Sequence, residues 1–396
     1  MALKHGKAGS SRHRAHAIAA MLLAAALAAC GPYGRETILF VEDVAAGQAP
    51  TAFKAETPQP ARREIVWADG DAERLADLYL PADGAPLARV VFIPGLSEDG
   101  KDDWRLVPMA ETLARARFAV MVPDIVNIRR LRVSPQDAGE IASAIRWLSE
   151  QRLGPRGPQP VGIVGASYAA GPGFLATLQP GIADRVAFIL TIGAYHDVVE
   201  ALTYAITGFH RNDAGQWVQG VPTAFARWTF LRANAARLAG AGDRAALEAI
   251  GTARLADGAT PIDHHVAALG PEGRAVWELF AATDPERLPA LIAALPPALQ
   301  QDILGLDLAS RDLGPFRGQA ILIHGAGDPA VPPSQSVALA EALGRRAHLY
   351  LLGDLNHAEF HGRPALADAI AMYFAGVRLM TLRDAIGEGR LSLPSP

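Results

Sequence analysis

The chain has 396 residues, half of them hydrophobic, and its 37 basic and 41 acidic side chains leave a formal net charge of −4. That length suits one large catalytic core with an inserted subdomain, or two modest domains. The near-balance of charge, with no run of five or six like charges, points to no nucleic-acid or polyanion partner.

The first thirty residues form a leader. Lys4, Lys7, Arg12 and Arg14 precede an apolar run over residues 17–29, the layout of a secretory signal. The run is shorter than the roughly 20 apolar residues that span a bilayer. It closes on Leu27-Ala28-Ala29-Cys30 and resembles a bacterial lipoprotein signal, in which small residues precede a cysteine that is lipidated and becomes the new N-terminus. Cys30 is the sole cysteine of the chain, so no intrachain disulfide can form. The resemblance implies a signal peptide over 1–29, lipidation of Cys30, and export to the bacterial cell envelope on acyl chains. Gly31 after the cysteine implies the outer membrane if the source is Gram-negative. The plainer alternative is an ordinary signal cleaved near Ala29.

Residues 30–62 contain Gly31-Pro32, Gly34, Gly47, Pro50, Pro58 and Pro60 and read as a tether that lets the body stand off the membrane. Beyond it, residues 64–67 and 75–80 form an opening hairpin around Asp69-Gly70-Asp71. Residues 88–95 are a continuous apolar run stopped by Pro94 and Gly95, as expected of a strand buried on both faces. A helix over 104–117, a strand over 118–124 and a helix over 134–151 follow, with Ser134-Pro135 as N-cap and first helical residue. Further strands are expected over 161–165, 186–192, 320–324 and 348–352, and a last helix over 364–379. This alternation predicts an α/β chain with a mostly parallel central sheet covered by helices on both faces. It is interrupted by residues 198–316, where helical patterns over 222–238, 244–255 and 285–304 occur without a convincing strand. That stretch is too long for a connection and is expected to be a helical cap inserted between core segments 63–197 and 317–396.

The chemistry centres on Gly162-Ile163-Val164-Gly165-Ala166-Ser167-Tyr168-Ala169-Ala170-Gly171, where a buried strand gives way to a helix. A serine on such a turn is pushed out at the carboxyl edge of the sheet, beside a helix N-terminus that stabilises negative charge. Here the sequence resembles the α/β-hydrolase family, whose elbow reads Gly-x-Ser-x-Gly; Ala169 stands in place of the last glycine. Pro172, beyond the first turn, is expected to kink or shorten the helix. A neutral serine needs a base, and the base needs an orienting acid. His324-Gly325-Ala326-Gly327-Asp328-Pro329-Ala330-Val331-Pro332 is similar to the family's His-Gly-x-x-Asp-x-x-Val-Pro acid segment. Gly353-Asp354-Leu355-Asn356-His357 lies where the family places its base. The order Ser167, Asp328, His357, each just past an expected strand, is that of the α/β-hydrolases. Oxyanion donors are expected at the main-chain N–H groups of Tyr168 and Leu96, with Ser97 as neighbour to Leu96.

Plainer readings stand beside these. Ser167 and Asp328 are also plausible helix or turn caps, and Asp197 is a rival acid. His361 competes with His357, and with Glu359 the pair invites a zinc reading, but the order is not His-Glu-x-x-His and no third ligand is evident. His324 reads as a packed residue shaping the acid loop. Tyr195-His196 suits either a pocket wall or a loop, and Trp217, Trp228 and Trp277 suit a cap core. The glycine spacing is wrong for a dinucleotide fold. The resemblance implies a serine hydrolase that needs no cofactor or metal, cleaving a small-molecule carboxylic ester through an acyl-enzyme. A peptidase or amidase on the same triad is one alternative, and a catalytically inactive envelope-binding lipoprotein, motivated by Pro94, Ala169 and Pro172, is another.

Overall fold

The structure is a computed structural model and describes residues 33–154, 156–212, 214–357, 359–360 and 364–393. The leader and Cys30 lie outside the described residues. Eight strands build the central sheet: β1 (Ala61–Asp69), β2 (Ala72–Leu80), β3 (Ala88–Ile93), β4 (Phe118–Pro123), β5 (Val161–Ala166), β6 (Val186–Ile192), β9 (Gln319–Gly325) and β10 (Ala347–Leu352), with β7 (Phe209–Arg211) and β8 (Trp217–Gln219) forming a separate hairpin. The spatial order is β1-β2-β4-β3-β5-β6-β9-β10. β1 and β2 are the expected antiparallel hairpin, closed at Gly70 with φ +63°. From β4 to β10 every pairing is parallel. The central strands β3 and β4 are buried along their whole length, as their unbroken apolar runs require when both faces are covered.

Two cores lie on opposite faces of this sheet. Helices Asp137–Glu150, Ala170–Thr177 and Ser334–Leu343 pack on one. Helices Leu106–Arg115 and Leu366–Gly387 pack on the other. Several boundaries differ from the periodic pattern. The fourth-strand-to-fifth-strand helix begins at Asp137 rather than Ser134, because Ser134 and Pro135 are used in a preceding turn that donates to their carbonyls. The C-terminal helix continues to Gly387, carried by Met380, Leu382 and Ile386 on its buried side.

The expected tether over 30–62 is not one where it is described. Residues Gly34–Ala46 and Ala52–Glu56 are helices, and Phe40 and Phe53 are in the core. Thr37, Phe40, Val41 and Val44 follow the i, i+3, i+4, i+7 spacing of a buried stripe, which the surrounding glycines and prolines obscure. Gly376 lets this helix lie close to the last one, since a Cβ there would meet Thr37 Cγ2 at 2.7 Å. Asp43 is fully buried and accepts from Lys54 Nζ at 2.7 Å, from the Thr112 hydroxyl at 2.6 Å and from the Thr51 hydroxyl. Glu36 pairs with the buried Arg383. The segment is therefore part of the body.

The insertion is mainly helical, as expected, with its own core built on Leu231, Leu247, Ile250, Leu279 and Leu288. It contains helices Val198–Thr207, Ala224–Ala235, Ala241–Ala256, Pro271–Ala281 and Pro297–Gly305. The single helix expected over 285–304 is broken, because Pro296-Pro297 ends one helical segment and starts the next. The β7–β8 hairpin corrects the expectation that the cap has no strand; its three-residue strands are too short to leave a periodic trace.

Phe40→Ala tests the integration of the N-terminal helix. The expected outcome is a loss of about 3–5 kcal/mol in denaturant unfolding, the usual cost of truncating a buried phenylalanine; a tether would give no change.

Candidate active site

The serine emerges from the sheet in a strained turn. β5 ends at Ala166, Ser167 has φ +56°, and a 3-10 turn over Ser167–Ala169 leads into helix Ala170–Thr177. The left-handed region is costly for a residue with a Cβ, by about 1–3 kcal/mol, and persists only where the surroundings enforce it. Here they do. A Cβ on Gly165 would meet Ala169 Cβ at 2.9 Å, so Gly165 is the glycine this elbow requires, and the fully buried Ala169 methyl fits against its bare α-carbon. The departure at Ala169 is thus absorbed. Pro172 lies within helix Ala170–Thr177, which is eight residues long. It occupies the third helical position, inside the first turn, where main-chain N–H groups have no intrahelical partner to lose. Gly171 makes room for Tyr195, whose hydroxyl would lie 1.7 Å from a Cβ there.

Asp328 and His357 meet across the ends of β9 and β10. Asp328 is 2% exposed, and its Oδ1 accepts from the N–H groups of Ala330 (2.8 Å) and Val331 (3.0 Å). His357 Nδ1 lies 2.8 Å from Oδ2 and 3.0 Å from Oδ1. Burial pushes the Asp328 carboxyl up. The hydrogen bond and charge of His357, the Val331 N–H and His324 outweigh it and hold the carboxyl below its ordinary value. An ionised acceptor at Nδ1 fixes the proton on that nitrogen and leaves Nε2 as the basic site. His357 has φ +56° and a side chain 26% exposed, so the ring is reachable from solvent while its inner edge is held.

Sheet register relates this pair to the serine. Ala166 is paired with Ile192, and Ile192 with Ile323. Ser167 and Gly193 therefore leave adjacent strands side by side, about 5 Å apart by ordinary strand spacing. Gly193 has φ +67°, and a Cβ there would sit 3.1 Å from Asp328 Oδ2 and 3.2 Å from His357 Nδ1. The residue beside the serine thus leaves no room for a side chain between itself and Asp328 and His357. Asp328 and His357 are hydrogen-bonded to each other; among the described contacts none joins Ser167 to His357. Contacts of this kind commonly tighten only when substrate is bound.

The oxyanion candidates lie at the elbow. The Gly95 α-carbon faces Ala166, whose carbonyl would be 3.7 Å from a Cβ on Gly95, so the Pro94-Gly95-Leu96 turn passes beside the serine. Leu96 N–H donates to no acceptor among the described main-chain bonds, and Tyr168 N–H lies in the first turn after the serine. The Ser97 hydroxyl is engaged, accepting from Asp99 N–H at 3.3 Å and bonding to Asp103. The Tyr168 side chain is an anchor that the sequence did not reveal. Its buried hydroxyl accepts from Ser134 N–H and reaches Asp137 Oδ2, both at 2.8 Å. Burial pushes Asp137 up to about 6, against the hydrogen bonds from Asn127 and Tyr168.

The rival residues have other work. Asp197 is the N-cap of helix Val198–Thr207, accepting from Val199 and Glu200 N–H groups, and among the described contacts it has none with His357. His324 is fully buried; Nε2 donates to the Val331 carbonyl and Nδ1 accepts from Ser336, which shapes the acid loop, and burial lowers its pKa. Tyr195 donates to the Leu306 carbonyl. Trp228 and Trp277 stack within the cap, and Trp217 donates to Glu286 beneath Arg211. His361 lies outside the described residues, among which no three His, Cys, Asp or Glu gather as a metal site. A cleft of about 400 Å³, bordered by Glu98, Arg130 and Arg232 between cap and core, is lined by none of Ser167, Asp328 and His357.

Strand order, the sense of pairing, and an elbow serine followed by aspartate and histidine at later strand ends define an α/β-hydrolase fold with an inserted cap. No family model matches the chain, and no curated protein matches it. Similar solved structures include a lipase in its open form (20% identity, TM-score 0.45, covering 83% of this chain and 99% of that one). Others are a 2,6-dihydroxy-pseudo-oxynicotine hydrolase (14%, 0.44, 86% and 71%) and a brefeldin A esterase described as a bacterial homologue of human hormone-sensitive lipase (14%, 0.43, 89% and 84%).

The elbow packing predicts an asymmetry between two substitutions. Gly165→Ala should abolish reaction of Ser167 with an active-site-directed phosphonate, because the new methyl collides with Ala169. Ala169→Gly should leave the rate within about threefold, a change below 1 kcal/mol. Equal effects would contradict this packing.

Proposed function

We propose that the protein is a serine hydrolase cleaving carboxylic esters by acyl transfer. Ser167 attacks the carbonyl as His357 Nε2 takes its proton, so a C–O bond forms to the serine while the carbonyl oxygen becomes an oxyanion at the Tyr168 and Leu96 N–H groups. The imidazolium then gives its proton to the departing alkoxide, and the acyl–serine bond is broken by a water activated in the same way. Asp328 stays ionised throughout, orienting Nδ1–H and stabilising the imidazolium. The single observation that supports this most is the strained Ser167, whose neighbour across the strand ends, Gly193, lies against a histidine whose Nδ1 is held by a buried carboxylate.

An ester is favoured over an amide because an alkoxide leaves with less protonic help than an amine. The test is labelling of the purified protein with a fluorophosphonate probe beside folded Ser167→Ala and His357→Ala variants, followed by turnover of matched esters and anilides. Labelling of the parent alone, with esters faster, is expected. An unlabelled, folded parent overturns the hydrolase reading in favour of an inactive binding protein, and faster anilides point to an amidase or peptidase.

We also propose that the protein is exported and anchored to the bacterial envelope through acylated Cys30. Only Gly31-Pro32-Tyr33 separate that cysteine from the helix beginning at Gly34, so such an anchor would hold the body close to the bilayer rather than on a long stalk. Among the described residues no helix is long and apolar enough to cross a membrane. Intact-mass analysis of protein extracted from membranes is expected to find acyl chains on Cys30; a free thiol there would contradict the anchor.

A further inference from the structure

The loop that carries Asp328 is held from two sides, and one of them is the cap. On the core side, Asp328 Oδ1 accepts from Ala330 and Val331, and the Val331 carbonyl accepts from His324. On the cap side, the carbonyls of Asp328 and Pro329 each accept a single bond. The Tyr204 hydroxyl, on helix Val198–Thr207, donates to the Asp328 carbonyl at 3.1 Å, and Thr223 N–H, at the entry to helix Ala224–Ala235, donates to the Pro329 carbonyl at 2.9 Å.

These cap donors are themselves held. Tyr204 is 4% exposed, and its ring is edge-on to His210 at 5.5 Å. Gly220 passes so close that a Cβ would lie 2.8 Å from Tyr204 Cε2, and Gly208, at φ +83°, ends the helix with its N–H on the Tyr204 carbonyl. A third tie joins the same helix to the one after the acid loop: Gln335 Oε1 accepts from His196 and Asp197 N–H groups, and its Nε2 donates to Glu200.

We propose that Tyr204 is a positioning residue for the triad, and that the cap, through Tyr204 and Thr223 N–H, sets the direction in which the Asp328 carboxylate meets His357. The inference rests on the serine-hydrolase reading. An orienting bond of 2.8 Å tolerates little drift, and misplacement by about 1 Å can cost on the order of 10²-fold in rate. The edge of the cap above the acid is thereby a fixed root of the active site. Among the described residues, the titratable groups facing His357 are Asp328 and His324, and those facing Tyr204 are Asp328 and His210.

The test deletes one donor at a time. Tyr204→Phe removes the hydroxyl alone. Thr223→Pro removes one N–H at a residue whose φ of −73° suits proline and whose side chain caps nothing. Each should lower kcat about tenfold on a small ester with KM within twofold. Each should also move the acidic limb of the kcat/KM profile to lower pH, because a loosely aimed carboxylate stabilises the imidazolium less. The double variant should lose more than either. If Tyr204→Phe fails to fold, Thr223→Pro carries the same test. Folded variants with parental kcat and an unmoved acidic limb overturn the proposal, whatever their melting temperature. A parent that fails to react with the fluorophosphonate removes the reading beneath it, whereas a reactive parent with unchanged variants overturns this inference alone.

Discussion

A buried carboxylate that must stay charged dictates much of the arrangement at the carboxyl edge of this sheet. Asp328 has almost no contact with solvent, and an unpaired ion there would simply take up a proton. Two main-chain N–H groups and the His357 ring prevent that. The arrangement works in both directions: the donors keep the carboxylate ionised, and the ionised carboxylate holds the imidazole in one tautomer with Nε2 facing outward. His324 supports the loop without competing for this role, because burial keeps it neutral and both ring nitrogens have partners.

Register relates the serine to this pair through Gly193. β5 and β6 end in step at the paired Ala166 and Ile192, level with Ile323 of the neighbouring parallel strand β9, which runs on to Gly325. One residue further, Ser167 and Gly193 both take positive φ. At Gly193 the glycine is needed for space as well as conformation, since any side chain would enter the acid–base contact. At Ser167 the strain is imposed by the close fit of Gly165 and Ala169. Tyr168 then ties the turn to helix Asp137–Glu150 through its hydroxyl, so the residue expected to supply an oxyanion donor is fixed at its other end.

Much of this was legible in the sequence, for identifiable reasons. Parallel strands buried on both faces leave unbroken apolar runs, so β3, β4, β5, β6 and β9 are visible as such. Turns that need special backbone leave Gly and Pro, and so the elbow and the acid loop stand out even with Ala169 at the altered position. Features that depend on distant partners were not legible. The stripe on helix Gly34–Ala46 has meaning only against Gly376 and the last helix, and amid glycines and prolines it reads as a linker. Gly193 and Tyr204 sit in unremarkable local sequence, and their roles come from β9 and from the acid loop. The β7–β8 hairpin is too short for alternation to register.

The cap does more than cover the core, since Tyr204 and the Thr223 N–H donate to carbonyls of the loop that carries Asp328. Nitrogen-15 NMR of the histidine rings at neutral pH tests the Asp328–His357 contact directly. His357 should be protonated at Nδ1 and bare at Nε2, and Asp328→Ala should abolish that preference. An Nε2–H tautomer in the parent, or a His357 signal indifferent to the loss of Asp328, would contradict the proposed arrangement of acid and base.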